Sequence, residues 1–262
     1  MNKFASPTTI LVTGATGGLG RALALVYAAP LITLILHGRD PAKLAALRGE
    51  CEQRGAAVSL LVADLAECNQ WIATLDDACR QTAIDLVIVN AGATNIIDLV
   101  GESWPDVERM LDINLRAAMA TVSVVLPHMR RRGSGQIALI SSISAYVGLP
   151  VTPAYCASKA ALKSYGEAMR GWLAPQGIAV NVVMPGFVDT AMSEQFPTSK
   201  PFLLPPEDAV RRIKAGLAGN RARISFPFPL TLGMWLLSMM PADWAQRILR
   251  LTGFAGVRSR NP

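Results

Sequence analysis

Short apolar runs alternate with longer segments of helical periodicity along the whole chain. This alternation is typical of repeated βαβ units around a parallel sheet. Seven runs are predicted as strands, over residues 8–13, 31–37, 58–63, 85–90, 136–141, 179–184 and 223–226. Helices are predicted over residues 18–29, 41–54, 67–81, 104–132, 153–174 and 206–218. The pattern therefore predicts an α/β fold, a doubly wound sheet of about seven parallel strands flanked by helices.

No linker or low-complexity stretch interrupts this alternation, so residues 1–262 are predicted to form a single Rossmann-like domain. Residues 187–206 contain four prolines and follow the carboxyl end of a predicted strand, where ligands bind in such sheets. Two interpretations stay open for this segment, a lid that covers the substrate or an ordinary surface loop.

The carboxyl-terminal segment, residues 227–262, is an apolar extension. Residues 224–242 contain no charged side chain, and this length approaches that of a membrane-spanning helix. The prolines and the glycine within the stretch argue against a continuous span. We expect the last strand, a short apolar helix over residues 230–240 and a further helix over residues 243–251. Internal packing, a subunit interface or a pocket wall would each account for the apolar residues.

Composition and charge narrow the classes of function. Apolar residues make up 51% of the chain, which supports a substantial buried core. The formal net charge is +6, and residues 130–132 are all arginine. No nucleic-acid-binding motif accompanies this charge, so no nucleic-acid partner is expected.

The cysteines and the amino terminus bear on the compartment. The four cysteines form no C-x-x-C pair and, with the two histidines, no metal-ligand spacing. They are predicted to be free thiols in a reducing compartment, and no metal is expected. The amino terminus lacks the plan of a secretory signal, which favours a cytoplasmic location.

Residues 10–20, Ile-Leu-Val-Thr-Gly-Ala-Thr-Gly-Gly-Leu-Gly, run from a predicted strand through a glycine turn into an apolar helix. Glycines permit positive φ and close backbone approach, and the free N–H groups and dipole at the start of a helix favour an anion. The position of this turn in the first βα unit predicts the binding of a dinucleotide pyrophosphate. A purely structural turn is the alternative.

The spacing T-G-x-x-x-G-x-G in this turn resembles that of the short-chain dehydrogenase/reductase (SDR) family. The resemblance covers almost the whole chain, because the later motifs follow in the family's order. It implies a nicotinamide-dependent oxidoreductase that transfers hydride between its cofactor and a carbonyl or alcohol carbon. The cofactor-binding residues that the resemblance implies are Gly14, Thr16, Gly18, Leu19, Gly20, Arg39, Asp64, Leu65, Asn90, Ala91, Gly92, Tyr155, Lys159, Pro185, Gly186, Val188 and Thr190.

Several of these motif residues also have an ordinary structural explanation. Asp64 would also serve as a helix cap, and Asn114 would satisfy buried backbone groups. Pro185 and Gly186 would also end a strand. Each residue taken singly leaves both explanations open, and it is their joint order and spacing that favours a function.

The end of the second predicted strand bears on the choice of cofactor. In such folds a carboxylate there binds the adenosine ribose, whereas an arginine binds a 2′-phosphate. By resemblance, Gly38 takes the carboxylate position and Arg39 the phosphate-binding one, which favours NADP over NAD. Asp40 is the complication, since it could instead meet a ribose hydroxyl. Because Pro41 follows it, we interpret Asp40 as the cap of the next helix.

Tyr155 and Lys159 are four positions apart in a predicted helix, so they share one face. A free phenol has a pKa of about 10 and is a poor base at neutral pH. Lowering this pKa to about 7 needs about 4 kcal/mol, which one cation about 4 Å away supplies at an effective dielectric constant of about 20. The pair therefore predicts that Lys159 lowers the pKa of Tyr155. An aromatic core residue beside a surface lysine is the alternative.

The resemblance implies four catalytic residues, Asn114, Ser142, Tyr155 and Lys159. Tyr155 would exchange a proton with the substrate oxygen, and Ser142 would hydrogen-bond this oxygen. Lys159 would also hold the nicotinamide ribose, and Asn114 would keep a water relay in place. Ser141 is adjacent to Ser142, but the interval of thirteen positions to Tyr155 selects Ser142.

Two other classes of function compete with an NADP-dependent reductase or dehydrogenase. A non-catalytic dinucleotide sensor would have lost the tyrosine, lysine or serine, and all three are present. A membrane-surface protein rests on the apolar carboxyl-terminal segment and on the arginines around it, Arg221, Arg223, Arg258 and Arg260. For the enzyme we expect a small carbonyl or alcohol substrate, preferably apolar, and the homodimer or homotetramer that is typical of the family. A peripheral membrane contact stays open.

Overall fold

One parallel sheet organises the part of the chain that the computed structural model describes, residues 7–96, 101–196, 199–252 and 254. Its strands are β1 (Thr9–Val12), β2 (Thr33–Gly38), β3 (Ala57–Val62), β4 (Leu86–Val89), β5 (Gly135–Ile140), β6 (Ile178–Pro185) and β7 (Arg223–Phe226). The strand order is β3-β2-β1-β4-β5-β6-β7, with every neighbouring pair parallel. The order reverses between β1 and β4, and ligands bind at such a reversal, outside the carboxyl ends of the strands. The predicted doubly wound sheet is confirmed.

The helices cover both faces of this sheet. They are α1 (Gly18–Tyr27), α2 (Pro41–Gln53), α3 (Cys68–Gln81), α4 (Trp104–Leu111), α5 (Ala117–Arg132), α6 (Pro153–Leu173), α7 (Ala191–Glu194), α8 (Pro206–Ala218), α9 (Phe228–Ser238) and α10 (Ala242–Leu251). Apolar side chains of α1, α2 and α8 pack on one face, and those of α3, α5 and α6 pack on the other. Because the central strands are covered twice, they are apolar nearly throughout, as β4 (Leu-Val-Ile-Val) shows.

The last two helices form a third apolar cluster at the carboxyl end of the sheet. Met234 of α9 and Leu249 of α10 pack with Ile143, Met184 and Phe254. The uncharged stretch of residues 224–242 is therefore divided between β7, the short helix α9 and the start of α10, and the expectation that it would not form a continuous span is confirmed.

The segment 187–206 crosses the same end of the sheet. Val188 and Leu204 form an isolated parallel bridge, and the N–H of Leu204 donates to the carbonyl of Phe187 at 3.0 Å. The short helix α7 lies between these points. Residues 197 and 198 are outside the described residues, so the choice between a lid and a loop stays a prediction.

Element boundaries differ from the predictions in two informative places. The second strand was expected from residue 31, but Leu31 is 93% exposed with φ of 69°, so it belongs to the preceding turn and β2 begins at Thr33. Residues 104–132 were expected to form one regular helix, but a π-helical turn, Asp112–Arg116, separates α4 from α5. Such turns are frequent at functional sites, and this one contains Asn114.

The long apolar helical stretch and the four cysteines also bear on the predictions. The helical stretch Trp104–Arg132 is long and apolar enough to cross a membrane, yet the apolar side chains of its buried side pack within the protein against α3 and α6, while Trp104 and Met119 are exposed. All four cysteines are free, as the sequence predicts, and all four are buried. The core thus consists of the apolar side chains whose spacing predicted the strands and helices.

Close packing of α6 on the sheet depends on Gly166. A Cβ at Gly166 would lie 2.6 Å from Cγ2 of Val182 and 2.9 Å from Cδ1 of Leu139, whereas one at Gly171 of the same helix would meet no atom within 4 Å. We expect Gly166→Ala to lower the free energy of unfolding by about 1–3 kcal/mol through overpacking. Gly171→Ala should raise it by about 0.5–1 kcal/mol through helix propensity. Urea unfolding of the two variants checks this, and equal shifts would contradict the packing argument.

Candidate active site

A cleft of about 430 Å³ opens at the carboxyl end of the sheet, where the strand order reverses. Every cofactor-binding residue predicted from the sequence lies in its lining, and so do Ser142 and Tyr155. Asn114 is the one predicted site residue outside the lining. Motifs that are far apart in the chain therefore meet in one place.

The glycine turn between β1 and α1 forms the floor of one half of the cleft. Gly14 has φ of 63°, and a Cβ on Gly20 would lie 2.1 Å from the carbonyl oxygen of Gly14, so no side chain fits there. The Asn90 side-chain amide donates to the carbonyls of Thr13 at 3.0 Å and of Gly14 at 3.2 Å. The hydroxyl of Thr13 in turn accepts the N–H groups of Asn90 and Ala91. These bonds tie the turn to the end of β4.

His37 of β2, which the sequence did not identify as a site residue, bonds the glycine turn from the side opposite β4. Its Nδ1 accepts the N–H of Gly14 at 3.2 Å, which leaves Nε2 to donate to the carbonyl of Ala63 at 3.2 Å. The ring packs on Trp71 with centroids 4.5 Å apart. Burial lowers the pKa of His37 from 6.5 to about 4, against the weaker opposing effects of Ala63 and Asp64. The imidazole is therefore neutral at physiological pH and serves as a fixed acceptor for the glycine turn.

Charged groups line the side of the cleft beyond β2. Asp40 caps α2, since its carboxylate accepts the N–H groups of Ala42 at 3.0 Å and Lys43 at 3.1 Å. The interpretation of Asp40 as a helix cap is confirmed. Because the carboxylate of Asp40 is engaged in capping α2, Arg39 is the charged side chain at the end of β2 that lines the cleft.

Asp64 faces Arg39 across this side of the cleft. Its Oδ2 lies 3.8 Å from Nη1 of Arg39 and 3.1 Å from Nη2 of Arg109. Partial burial raises the pKa of Asp64, but the hydrogen bonds from Ala66 and Arg109 and the charges of Arg109 and Arg39 outweigh it and lower the pKa below its ordinary value. Asp64 does not cap α3, because that helix begins at Cys68 after Glu67.

Tyr155 and Ser142 form the polar centre of the other half of the cleft. Tyr155 lies in the first turn of α6, 9% exposed, and its phenol is hydrogen-bonded to the Ser142 side chain. Burial raises the pKa of Tyr155 to about 12, although the hydrogen bond to Ser142 opposes this. The prediction that Lys159 lowers the pKa of Tyr155 to about 7 is therefore wrong, because the effect of burial is larger. The phenol is protonated at neutral pH and is placed to donate.

Lys159 lies one turn further along α6 and is 3% exposed. Its ammonium donates to the carbonyl of Ile140 at 2.9 Å and lies 5.6 Å from the centroid of the Tyr155 ring. Burial lowers the pKa of Lys159 to about 8. The hydroxyl of Ser141 donates to the carbonyl of Lys159 at 2.7 Å, so this serine fixes α6 to β5. The competing serine thus has a structural role, while Ser142 faces Tyr155.

Asn114 lies behind Lys159, in the π-helical turn. Its Oδ1 accepts the N–H of Ala93 at 2.7 Å, and its Nδ2 donates to the Ala93 carbonyl at 2.9 Å and to Ser158 at 3.0 Å. A Cβ on Gly92 would lie 3.3 Å from Oδ1 of Asn114 and 3.4 Å from Nζ of Lys159, so both side chains lie beside this glycine. Asn114 therefore satisfies buried backbone groups, and its role in a water relay stays a prediction.

The substrate half of the cleft is enclosed by apolar side chains that no motif identifies. They come from the turn after β5, from the segment after β6, from α9 and from the chain end: Ile143, Leu149, Phe187, Met192, Phe196, Leu230, Met234 and Phe254. The sequence indicated the loops after Ala93, Ser144 and Phe187 as pocket-forming and left a pocket wall open as one role of the apolar carboxyl-terminal segment. The ring of Phe187 contacts the rings of both Phe196 and Phe254. The segment after β6 therefore packs against Phe254, which follows α10 in the carboxyl-terminal segment.

Comparisons with known proteins agree with this geometry. The profile of the family described as short chain dehydrogenase matches residues 8–201. An uncharacterized oxidoreductase of Myxococcus xanthus is 34% identical over 92% of this chain and 97% of its own length. Mouse 17-beta-hydroxysteroid dehydrogenase 13 is 26% identical over 89% of this chain and 78% of its own length. The solved structure of a short-chain dehydrogenase from Sphingobium yanoikuyae in complex with NADPH superposes with a TM-score of 0.79, at 25% identity, over 97% of this chain and 98% of that one.

The neutral state of His37 leads to a pH-dependent stability. Its pKa is depressed in the folded protein, so the unfolded chain binds a proton first as the pH falls, and stability is lost between about pH 6.5 and about pH 4. We expect a loss of about 2 kcal/mol in the free energy of unfolding between about pH 6.5 and about pH 5. His37→Gln, which cannot titrate, should show a clearly shallower slope in urea titrations at these pH values. The same slope in both proteins would exclude His37 as the cause.

Proposed function

The chain belongs to the short-chain dehydrogenase/reductase family and is an NAD(P)-dependent oxidoreductase, and on this premise we propose that it reduces an apolar carbonyl compound with NADPH. The observation that carries the proposal is the single cleft that contains the glycine turn, Arg39 and the hydrogen-bonded pair of Ser142 and Tyr155. A non-catalytic sensor would not need the buried proton-donating pair.

The lining fits a nicotinamide dinucleotide. The amino end of α1 has no side-chain cap, so the N–H groups of its first turn remain available for a pyrophosphate. A Cβ on Gly18 would lie 2.5 Å from Cγ2 of Thr190, so the glycine keeps this part of the cleft open beside the turn. The glycine turn would hold the pyrophosphate, and Lys159 would hold the nicotinamide ribose. When bound, the reduced nicotinamide supplies the hydride.

NADP is favoured over NAD by the charges at the end of β2. Asp40 is bound to the amino end of α2 and is not free for a ribose hydroxyl. Arg39 lines the cleft with its side chain 62% exposed, and its guanidinium can form charge-assisted hydrogen bonds to a 2′-phosphate. The Sphingobium relative was solved with NADPH, which agrees with this choice.

The protonated phenol of Tyr155 is suited to donate a proton when a carbonyl is reduced. A carbonyl oxygen becomes strongly basic as its carbon is reduced, and it needs a proton donor within hydrogen-bond reach. Tyr155 keeps its proton at neutral pH, since burial raises its pKa to about 12. Ser142 bonds the phenol and can bond the same substrate oxygen. Lys159 carries a positive charge beside the ring, which stabilises the phenolate left after proton transfer.

An apolar substrate fits the wall that faces this pair. The side chains of Phe187, Leu230, Met234 and Phe254 offer no charged group to a substrate. Mouse 17-beta-hydroxysteroid dehydrogenase 13, one of the relatives, is named for steroid substrates, which are large and apolar. We propose a bulky apolar ketone or aldehyde as the substrate class of this chain.

The compartment and the assembly complete the proposal. The four buried free thiols support a reducing compartment, so we place the enzyme in the cytoplasm. Members of the family commonly form oligomers, and we propose a homodimer or homotetramer. Exposed side chains on α6, such as Trp172, would contribute to contacts between subunits.

Tyr155→Phe removes the proton donor and tests the reaction. We expect kcat for carbonyl reduction to fall by about 10² to 10⁴, with the dissociation constant of NADPH nearly unchanged. Tyr165→Phe, in the same helix and outside the cleft lining, is the matched control and should keep its activity. Stopped-flow turnover on a panel of ketones and fluorescence titration with NADPH provide the two measurements. Retained turnover in Tyr155→Phe would refute the assigned role.

Arg39→Gln tests the cofactor preference. Loss of charge-assisted bonds to a 2′-phosphate costs about 1.5–3 kcal/mol, so the dissociation constant of NADPH should rise about ten- to a hundredfold, while that of NADH should stay the same. Lys43→Gln removes a nearby exposed cation that is paired with Asp40, and it should change neither constant. A native protein that binds NADH more tightly than NADPH would overturn the preference.

A further inference from the structure

The outer surface of α9 and α10 carries a group of exposed apolar side chains. Eight of the fifteen large apolar side chains that are exposed among the described residues lie there, and we call them the apolar cap: Phe228, Leu232, Trp235, Leu236, Met239, Met240, Trp244 and Leu251. The four on α9, Phe228, Leu232, Trp235 and Leu236, cover about 100° of the helix circumference, at about 100° per residue, and Met239 and Met240 follow directly after the helix ends. Surfaces of this kind mark a site of interaction rather than ordinary solvent exposure.

The charges beside the apolar cap have one predominant sign. Residues 224–242 contain no charged side chain, and Asp243 is the one acidic residue of residues 227–252. Arg247 and Arg250 are exposed on α10, and none of the ion pairs formed among the described residues includes either of them. The cap therefore presents apolar groups with two tryptophans and neighbouring free cations.

The opposite side of α9 belongs to the candidate active site. Leu230 and Met234 line the cleft, and Met234 is 7% exposed. Leu249 on the inner side of α10 packs in the same apolar cluster as Met234. One pair of helices thus separates the substrate half of the cleft from the apolar cap, so whatever binds the cap lies next to the substrate.

We propose that the apolar cap docks the protein on an anionic lipid bilayer surface. An apolar helix face with tryptophan at the boundary and arginine beside it is the pattern of a helix that lies in the membrane interface. Each arginine near an anionic leaflet adds about 1 kcal/mol of attraction. The docked orientation would place α9 between the lipid and the apolar half of the cleft.

Charge also disfavours a second copy of the chain as the occupant. In a two-fold symmetric dimer the same patch meets itself, so Arg247 and Arg250 of both copies would lie in or beside one interface. Within residues 227–252, Asp243 is the one acidic residue that would offset these cations. Like charges at an interface cost free energy, whereas an anionic surface gains from them.

Trp244→Glu, with Trp104→Glu as its matched control, tests the proposal. The two tryptophans are 65% and 67% exposed, each lies in the first turn of its helix, and the two substitutions change the net charge equally. We expect the full chain to float with vesicles of phosphatidylcholine and phosphatidylglycerol and not with phosphatidylcholine alone, with binding reduced by added salt. Trp244→Glu should weaken this binding by about tenfold or more, and Trp104→Glu should leave it unchanged.

A second variant and a mass measurement distinguish membrane docking from a folding defect and from a subunit interface. Should Trp244→Glu lose its fold by circular dichroism, the double variant Arg247→Gln, Arg250→Gln takes its place, and it should lose the preference for anionic vesicles while the fold is kept. No vesicle binding by the native chain, or equal loss in both tryptophan variants, would overturn the proposal. A drop in oligomeric mass by light scattering for Trp244→Glu in lipid-free solution, without vesicle binding of the native chain, would assign the cap to a subunit interface instead. None of these measurements requires turnover.

Discussion

Partly buried hydrogen bonds from both neighbouring strand ends hold the glycine turn between β1 and α1. The Asn90 amide bonds the turn from the side of β4, and the neutral imidazole of His37 bonds it from the side of β2. Backbone groups at this depth must be paired, since leaving one unpaired costs about 1–3 kcal/mol. The shape of the cofactor half of the cleft therefore depends on two side chains whose hydrogen bonds go to the backbone of the turn.

The sequence predicted the parts of the site that motifs carry and missed the parts that tertiary packing brings in. The strand at Arg223–Phe226 and the lining by the glycine turn, Asn90 and Tyr155 follow from local patterns. Phe187, Met234 and Phe254 come from three separate segments, and nothing in their spacing shows that they converge. His37 was overlooked because a buried strand-end histidine has no pattern of its own.

The ionisation of the catalytic pair shows where a residue spacing stops being informative. Four positions on a helix fix Tyr155 and Lys159 on one face, and the structure keeps that arrangement. Burial is not encoded in the spacing, and it shifts both groups towards their neutral forms, the pKa of Tyr155 to about 12 and that of Lys159 to about 8. Desolvation outweighs the attraction of one ammonium that also bonds a carbonyl.

The attachment of α6 to β5 has a consequence for how such a protein can diversify. Ser141 and Lys159 join the helix to the strand through two buried bonds, so the proton donor is anchored to the rigid sheet. The walls opposite it come from α9 and from the segment after β6, which share none of these bonds. Mutations that reshape the pocket can therefore accumulate in the walls without disturbing the chemistry, which makes these walls the natural target for redesigning what the enzyme accepts.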